Sequence, residues 1–224
     1  MTPLIYFSSI SCIYAQENCN TFFASEKGTK IEMANYDKKD KLVNKNKYEI
    51  VDSKPIAGGR EFIIQTEIID ANDKLISKVE QNAKCINGDY VTDVRVANPE
   101  MMQKDANVKV TIDGDKLFYP SNMNVGEKLK DASVTLKTEM GGMTIMNMTI
   151  NITERKIEAY ETIETPAGKF DCAKITYKMN MKFMGNRTYN SVEYLAKGIG
   201  IVKSEQFDDK GKKQSSMIIT KISK

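Results

Sequence analysis

The stretch Met140-Gly141-Gly142-Met143-Thr144-Ile145-Met146-Asn147-Met148-Thr149-Ile150-Asn151-Ile152-Thr153 sets Met146, Met148, Ile150 and Ile152 at every second position. Asn147, Thr149, Asn151 and Thr153 stand between them. Successive side chains of a strand point to opposite faces, so this spacing reads as a strand with one apolar and one polar side. Residues 178–185, KMNMKFMG, repeat the pattern: Met179, Met181 and Phe183 share a face, opposite Lys178, Asn180 and Lys182. The period of two decides the fold class, which is all-β.

The same pattern extends in both directions. Strands are expected over 30–36, 42–51, 61–69, 75–85, 90–96, 134–140, 143–153, 156–165, 170–183, 188–194, 200–207 and 214–222, joined by polar turns such as DKKDK, DANDK and DDKGK. A further hairpin, VKVTIDGDKLFYP, is expected to reverse at Asp113-Gly114, a pair that tolerates positive φ. Asn98-Pro99-Glu100 supplies an N-cap, a proline at the first helical position and an acidic first turn, so one short helix is expected over 98–105. Short connections between successive strands imply a curved antiparallel meander sheet or half-barrel, with edges curled or closed. No Pro/Gly/Ser-rich linker divides the chain, so residues 16–224 are read as a single β domain. The Asp-x-x-x-Lys turns lack the Gly and distal Glu of a calcium loop and are read as hairpin turns.

Composition narrows the function. The chain has no histidine, which removes the usual general base, the Ser-His and Cys-His nucleophile pairs and imidazole metal sites. Nothing marks a catalytic pair of carboxylates, so no enzyme and no cofactor is expected. The 33 Lys+Arg and 30 Asp+Glu are interleaved, leaving no basic stripe to follow a phosphate backbone, and nucleic acid is not expected as a partner. Residues 1–15, MTPLIYFSSISCIYA, are uncharged and end in Ala before Gln16, as a secretory signal peptide does, although the basic start of such a signal is missing. A rival reading makes Cys12 a lipidation site, but Ser9 stands where an aliphatic residue is favoured. No other segment has the run of apolar residues that a membrane-spanning helix needs.

Export places Cys19, Cys85 and Cys172 in an oxidising compartment, where one disulfide and one leftover thiol are favoured. Cys172 lies inside an alternating strand, and Cys19 with Cys85 is the favoured pair; three separate buried thiols are the alternative. The Met-rich faces admit three readings. They are core first, then a groove for an acyl chain or apolar peptide, because flexible thioethers adapt to varied partners. A thioether Cu(I) site comes last, and no metal is assigned.

ETIETPAGKFDCAKITY (161–177) and VEYLAKGIGIVKSEQFDDKGK (192–212) are joined in order by Cys19 ahead of Glu26-Lys27-Gly28-Thr29, by Tyr36-Asp37-Lys38, by Cys85-Ile86-Asn87-Gly88-Asp89, and by Tyr119-Pro120 with Asn124-Val125-Gly126-Glu127-Lys128-Leu129. Together these resemble the exported β proteins of the TapB-like group, related to a bacterial domain family of unknown function. Leu195 stands where such relatives often carry an aromatic residue. The resemblance implies a curved antiparallel sheet similar to carriers of lipoproteins and lipids, and no catalytic residues. The preferred reading is a non-enzymatic envelope protein, periplasmic or secreted and in contact with the outer membrane in one version. It would bind a lipid, lipoprotein or other apolar ligand on a face that includes Met146, Met148, Met179, Met181 and Phe183. The alternative is a structural or protein-interaction β domain of the envelope without a small-molecule ligand.

Overall fold

The computed structural model describes Cys19, residues 21–94 and residues 108–224. The expected signal peptide over 1–15, the lipidation reading of Cys12 and the short helix expected over 98–105 fall on residues outside those described. Among those described, thirteen strands form one sheet: β1 (Lys30–Asp37), β2 (Leu42–Ile56), β3 (Gly59–Asp70), β4 (Leu75–Ile86), β5 (Asp89–Asp93), β6 (Val108–Gly114), β7 (Lys116–Tyr119), β8 (Ala132–Met140), β9 (Met143–Thr165), β10 (Gly168–Lys182), β11 (Asn186–Ala196), β12 (Gly200–Phe207) and β13 (Lys213–Ser223). Every neighbouring pair is antiparallel.

The spatial order is β6-β8-β9-β10-β11-β12-β13-β1-β2-β3-β4-β5-β7. Its two outer strands, β6 and β7, are separated in the chain by Asp115 alone. The sheet must therefore curl until its edges meet, and the result is a nearly closed, barrel-like meander. Curling in this way removes the long unpaired edges that a flat sheet of this width would expose.

Two local expectations are corrected. Asp113-Gly114 does not reverse the chain: β6 pairs with β8 as far as Gly114 opposite Val134, and β7 then pairs with β5. Gly114 has φ +143°, and a Cβ there would stand 2.2 Å from the carbonyl oxygen of Ser133. Glycine is needed for this close approach, where one extended segment changes partners, and not for a hairpin. The second correction joins 143–153 and 156–165 into the single strand β9. Charged residues at 154–156 interrupt the alternation because β9 bulges against β10. Glu154 has φ +56°, and the extra residue turns Arg155 onto the buried side, 2% exposed. There Arg155 donates to the carbonyls of Phe118 at 3.2 Å and Lys130 at 2.8 Å, holding β7 and the segment before β8.

The polar turns behave alike. Asp37, Asp70 and Asp208 each accept two backbone N–H groups, from the residues two and four positions on, at 2.8–3.0 Å. Asp40, Asp73 and Gly211 take the left-handed position. These two backbone donors hold the Asp37 carboxyl below its ordinary pKa.

The interior cluster spans most of the ring: Phe62, Ile64, Ala83, Cys85, Tyr90, Tyr119, Ile157, Ala173, Ile175 and Leu195 are buried together with Phe22 and Phe23. Leu195 is wholly enclosed there. A disulfide joins Cys19 to Cys85 across a sequence separation of 66 and ties the segment before β1 to the end of β4. On the opposite side of β10, Cys172 packs with Met33, Tyr194, Val202 and Ile219, so the sheet is buried on both faces at Cys172 and Ala173.

Candidate functional site

The Met-rich faces come from strands that are paired directly. β9 and β10 place Ile152 opposite Met179 and Ile150 opposite Met181, while β8 sets Val134 opposite Ile150 and Leu136 opposite Met148. Partners across a ladder share a face, so Met146, Met148, Met179 and Met181 form one surface with Val134, Leu136, Ile150 and Ile152. Val134, Ile150 and Ile152 form a buried floor with Val94 and Ala132, and Met148, Met179 and Met181 pack against it. Leu136 is buried on the same face. All four methionines are only half-buried. Phe183 lies past the end of β10, where it is exposed, and it belongs to the rim and not to the floor.

The other side of these strands is polar. Ser133 donates to Asn151 Oδ1 at 2.7 Å, Thr188 donates to Asn180 Oδ1 at 2.8 Å, and Lys178 pairs with Glu154 at 2.8 Å. These ladders hold the register that keeps the methionines on the interior face.

The Met surface is bounded inward by a polar belt that sequence reasoning missed. Tyr177 packs against both the Met floor and the larger interior cluster. Its hydroxyl donates to Glu193 Oε1 at 2.9 Å, and the Tyr119 hydroxyl donates to Oε2 at 3.3 Å. Burial first, and the Glu193 charge next, push the Tyr177 hydroxyl well above its ordinary pKa. The signal was present: Glu193 lies on the face of β11 between Ser191 and Leu195, an acidic residue where alternation asks for a buried one.

A second feature, also missed, is an apolar pocket of about 60 Å³ between Phe23, Ile31, Met33, Tyr48, Ile64, Tyr90, Ile201 and Met217. It lies on the β13-β1-β2-β3 side, away from β8-β9-β10. Phe23 stacks on Tyr90 with ring centroids 4.0 Å apart and forms one wall. The adjacent aromatics Phe22-Phe23 ahead of β1 were its only sequence signal. Among the described residues, no three His, Cys, Asp or Glu side chains gather in a metal-binding arrangement, and no helix is long and apolar enough to cross a membrane.

The DUF3108-like family pattern matches residues 26–219, which takes in every strand from β1 to β12 and most of β13. The chain belongs to the DUF3108-like family. Solved structures of similar fold include a Bacteroides fragilis protein described provisionally as exported, with a YmcC-like fold. It is 26% identical, with a TM-score of 0.75 over 92% of this chain and 100% of its own. Another, from Parabacteroides distasonis and described provisionally as a lipoprotein, is 24% identical with a TM-score of 0.77 over 92% and 100% of the two chains. No protein with a curated description matches this DUF3108-like chain.

Proposed function

We propose that this DUF3108-like chain is a non-enzymatic protein of the cell envelope that holds an apolar ligand, a lipid or the acyl part of a lipoprotein, on its interior Met surface. The observation that carries the reading is the incomplete burial of Met146, Met148, Met179 and Met181 beside a fully buried floor. A closed core would enclose such side chains, and each full burial would contribute about 1.5–3 kcal/mol. Here apolar, adaptable surface is left at the interior side of the sheet, which suits a chain of variable length and shape. The neighbours described as an exported protein and a lipoprotein support an envelope location. The test is whether protein purified without detergent carries apolar mass, and whether Asp at positions 148 and 181 removes it.

The second reading, a protein-interaction domain of the envelope, is favoured by one observation. β10 ends opposite Thr149, so among the described residues no strand pairs with Met143–Met148 of β9 on that side. An added strand from a protein partner would pair there.

A further inference from the structure

Among the described residues, five turns lie at the end of the sheet where β1, β3, β8, β10 and β12 finish, and they fall into two chemical kinds. The β1-β2, β3-β4 and β12-β13 turns are the Asp-capped, charged turns described above. The β8-β9 and β10-β11 turns do the same geometric job with Gly141-Gly142 and Phe183-Met184-Gly185. Around them Met140, Met143, Ile145, Phe183 and Met184 are all exposed, Met143 at 71% and Met184 at 95%.

Neither conformation nor packing accounts for this choice. Met184 has φ +47°, a left-handed position that suits Gly, Asn or Asp and costs a residue with a longer side chain about 1–2 kcal/mol. Its side chain recovers nothing from burial. The β8-β9 turn also extends past the end of β10, since β9 continues beyond Thr149, the partner of Lys182. Gly141, Gly142 and Gly185 face open space.

The charge around these turns has one prevailing sign. The strand ends at 108–110, 137–147 and 180–188 carry Lys109, Lys137, Lys182 and Arg187 against Glu139 alone. Glu139 is paired with Lys137 and faces Lys109 across the ladder, whereas Lys182 and Arg187 form no ion pair among the described residues. Exposed apolar tips backed by unpaired cations match the layered chemistry of an anionic bilayer, hydrocarbon below and phosphate above.

We infer that the β8-β9 and β10-β11 turns form a membrane-contact surface, with Met143 and Met184 entering the acyl boundary and Lys182 and Arg187 meeting anionic headgroups. This surface is separate from the interior Met face and stands whether or not that face holds a ligand. The experiment is co-sedimentation of residues 16–224 with vesicles of phosphatidylethanolamine and phosphatidylglycerol, and with phosphatidylcholine vesicles alone. Wild type is expected to bind the anionic vesicles, and Met143→Asp with Met184→Asp is expected to lower partitioning by at least about tenfold. Both positions are exposed, so an unchanged unfolding transition is expected to show that the variant is folded. Lys182→Glu with Arg187→Glu is expected to reduce binding to the anionic vesicles, as is raised salt. Wild type that binds neither vesicle, or a Met143→Asp, Met184→Asp variant that binds as wild type does, would overturn the inference. A dimer that depends on Met143 and Met184, without vesicle binding, would also overturn it and would give the surface to a second copy of the chain.

Discussion

Cys172 and the Cys19–Cys85 pair show two different uses of sulfur within one chain. The disulfide closes a long loop, and restricting the unfolded chain in this way contributes about 4 kcal/mol on loop-entropy grounds. Replacing both cysteines with Ser should lower the unfolding free energy by about 4 kcal/mol, read by urea titration as an earlier midpoint. Cys172 instead acts as a small buried apolar side chain. Burial, with the nearby Asp171 charge second, pushes its thiol from about 9 to about 11. The folded state therefore favours the protonated thiol, and this contribution is fully present below pH 9 and is lost as pH rises towards 11. The difference corresponds to about 3 kcal/mol. Tyr177, whose hydroxyl is raised in the same direction, extends the loss to higher pH. Thermal melts should fall steeply above pH 9, and Cys172→Ser should flatten that fall; an equally steep profile in the variant would contradict the assignment. Cys172 was readable as buried because it sits in an alternating strand, whereas the buried role of Arg155 was not. A bulge changes which face a residue takes, and its cause is the partner strand, not the local sequence.

At the scale of the element, β6 and β7 explain how the meander of the thirteen described strands closes. One extended segment pairs with β8 in its first half and with β5 in its second, and Gly114 stands at the change. Gly114→Ala should destabilise by more than about 2 kcal/mol, because the new Cβ meets the Ser133 carbonyl and takes a disfavoured φ. Retention of wild-type stability in a chemical denaturation series would show that the strand crosses by another path. The sequence made Asp113-Gly114 look like a hairpin turn because the same dipeptide serves both purposes. Only the identity of the partner strand distinguishes them, and pairing across 18 or more residues is not written locally. The charged turns at 37–41, 70–74 and 208–212 were legible for the opposite reason: each Asp caps backbone N–H groups within its own turn.

For the molecule as a whole, the ring has an interior divided by chemistry. A Met surface lies on β8-β9-β10, a Tyr177–Glu193–Tyr119 belt borders it, and a small aromatic-walled pocket sits on the β13-β1-β2-β3 side. Alternation alone found the Met surface, since a period of two fixes which residues share a face. It missed the belt, whose Tyr119 reaches the neighbouring-strand pair Tyr177 and Glu193 only when the sheet curls, and the pocket, which Phe23 and Tyr90 help to close. The proposed activity turns on whether the half-buried methionines are occupied in the cell. Native mass spectrometry of the chain purified from the envelope without detergent should give extra mass in the lipid range, recoverable by solvent extraction. Met148→Asp with Met181→Asp, in protein that still shows its strand circular dichroism, should return the apo mass. A wild-type chain that is apo on purification and stays apo after incubation with envelope lipids would contradict ligand binding and would return the Met surface to the core.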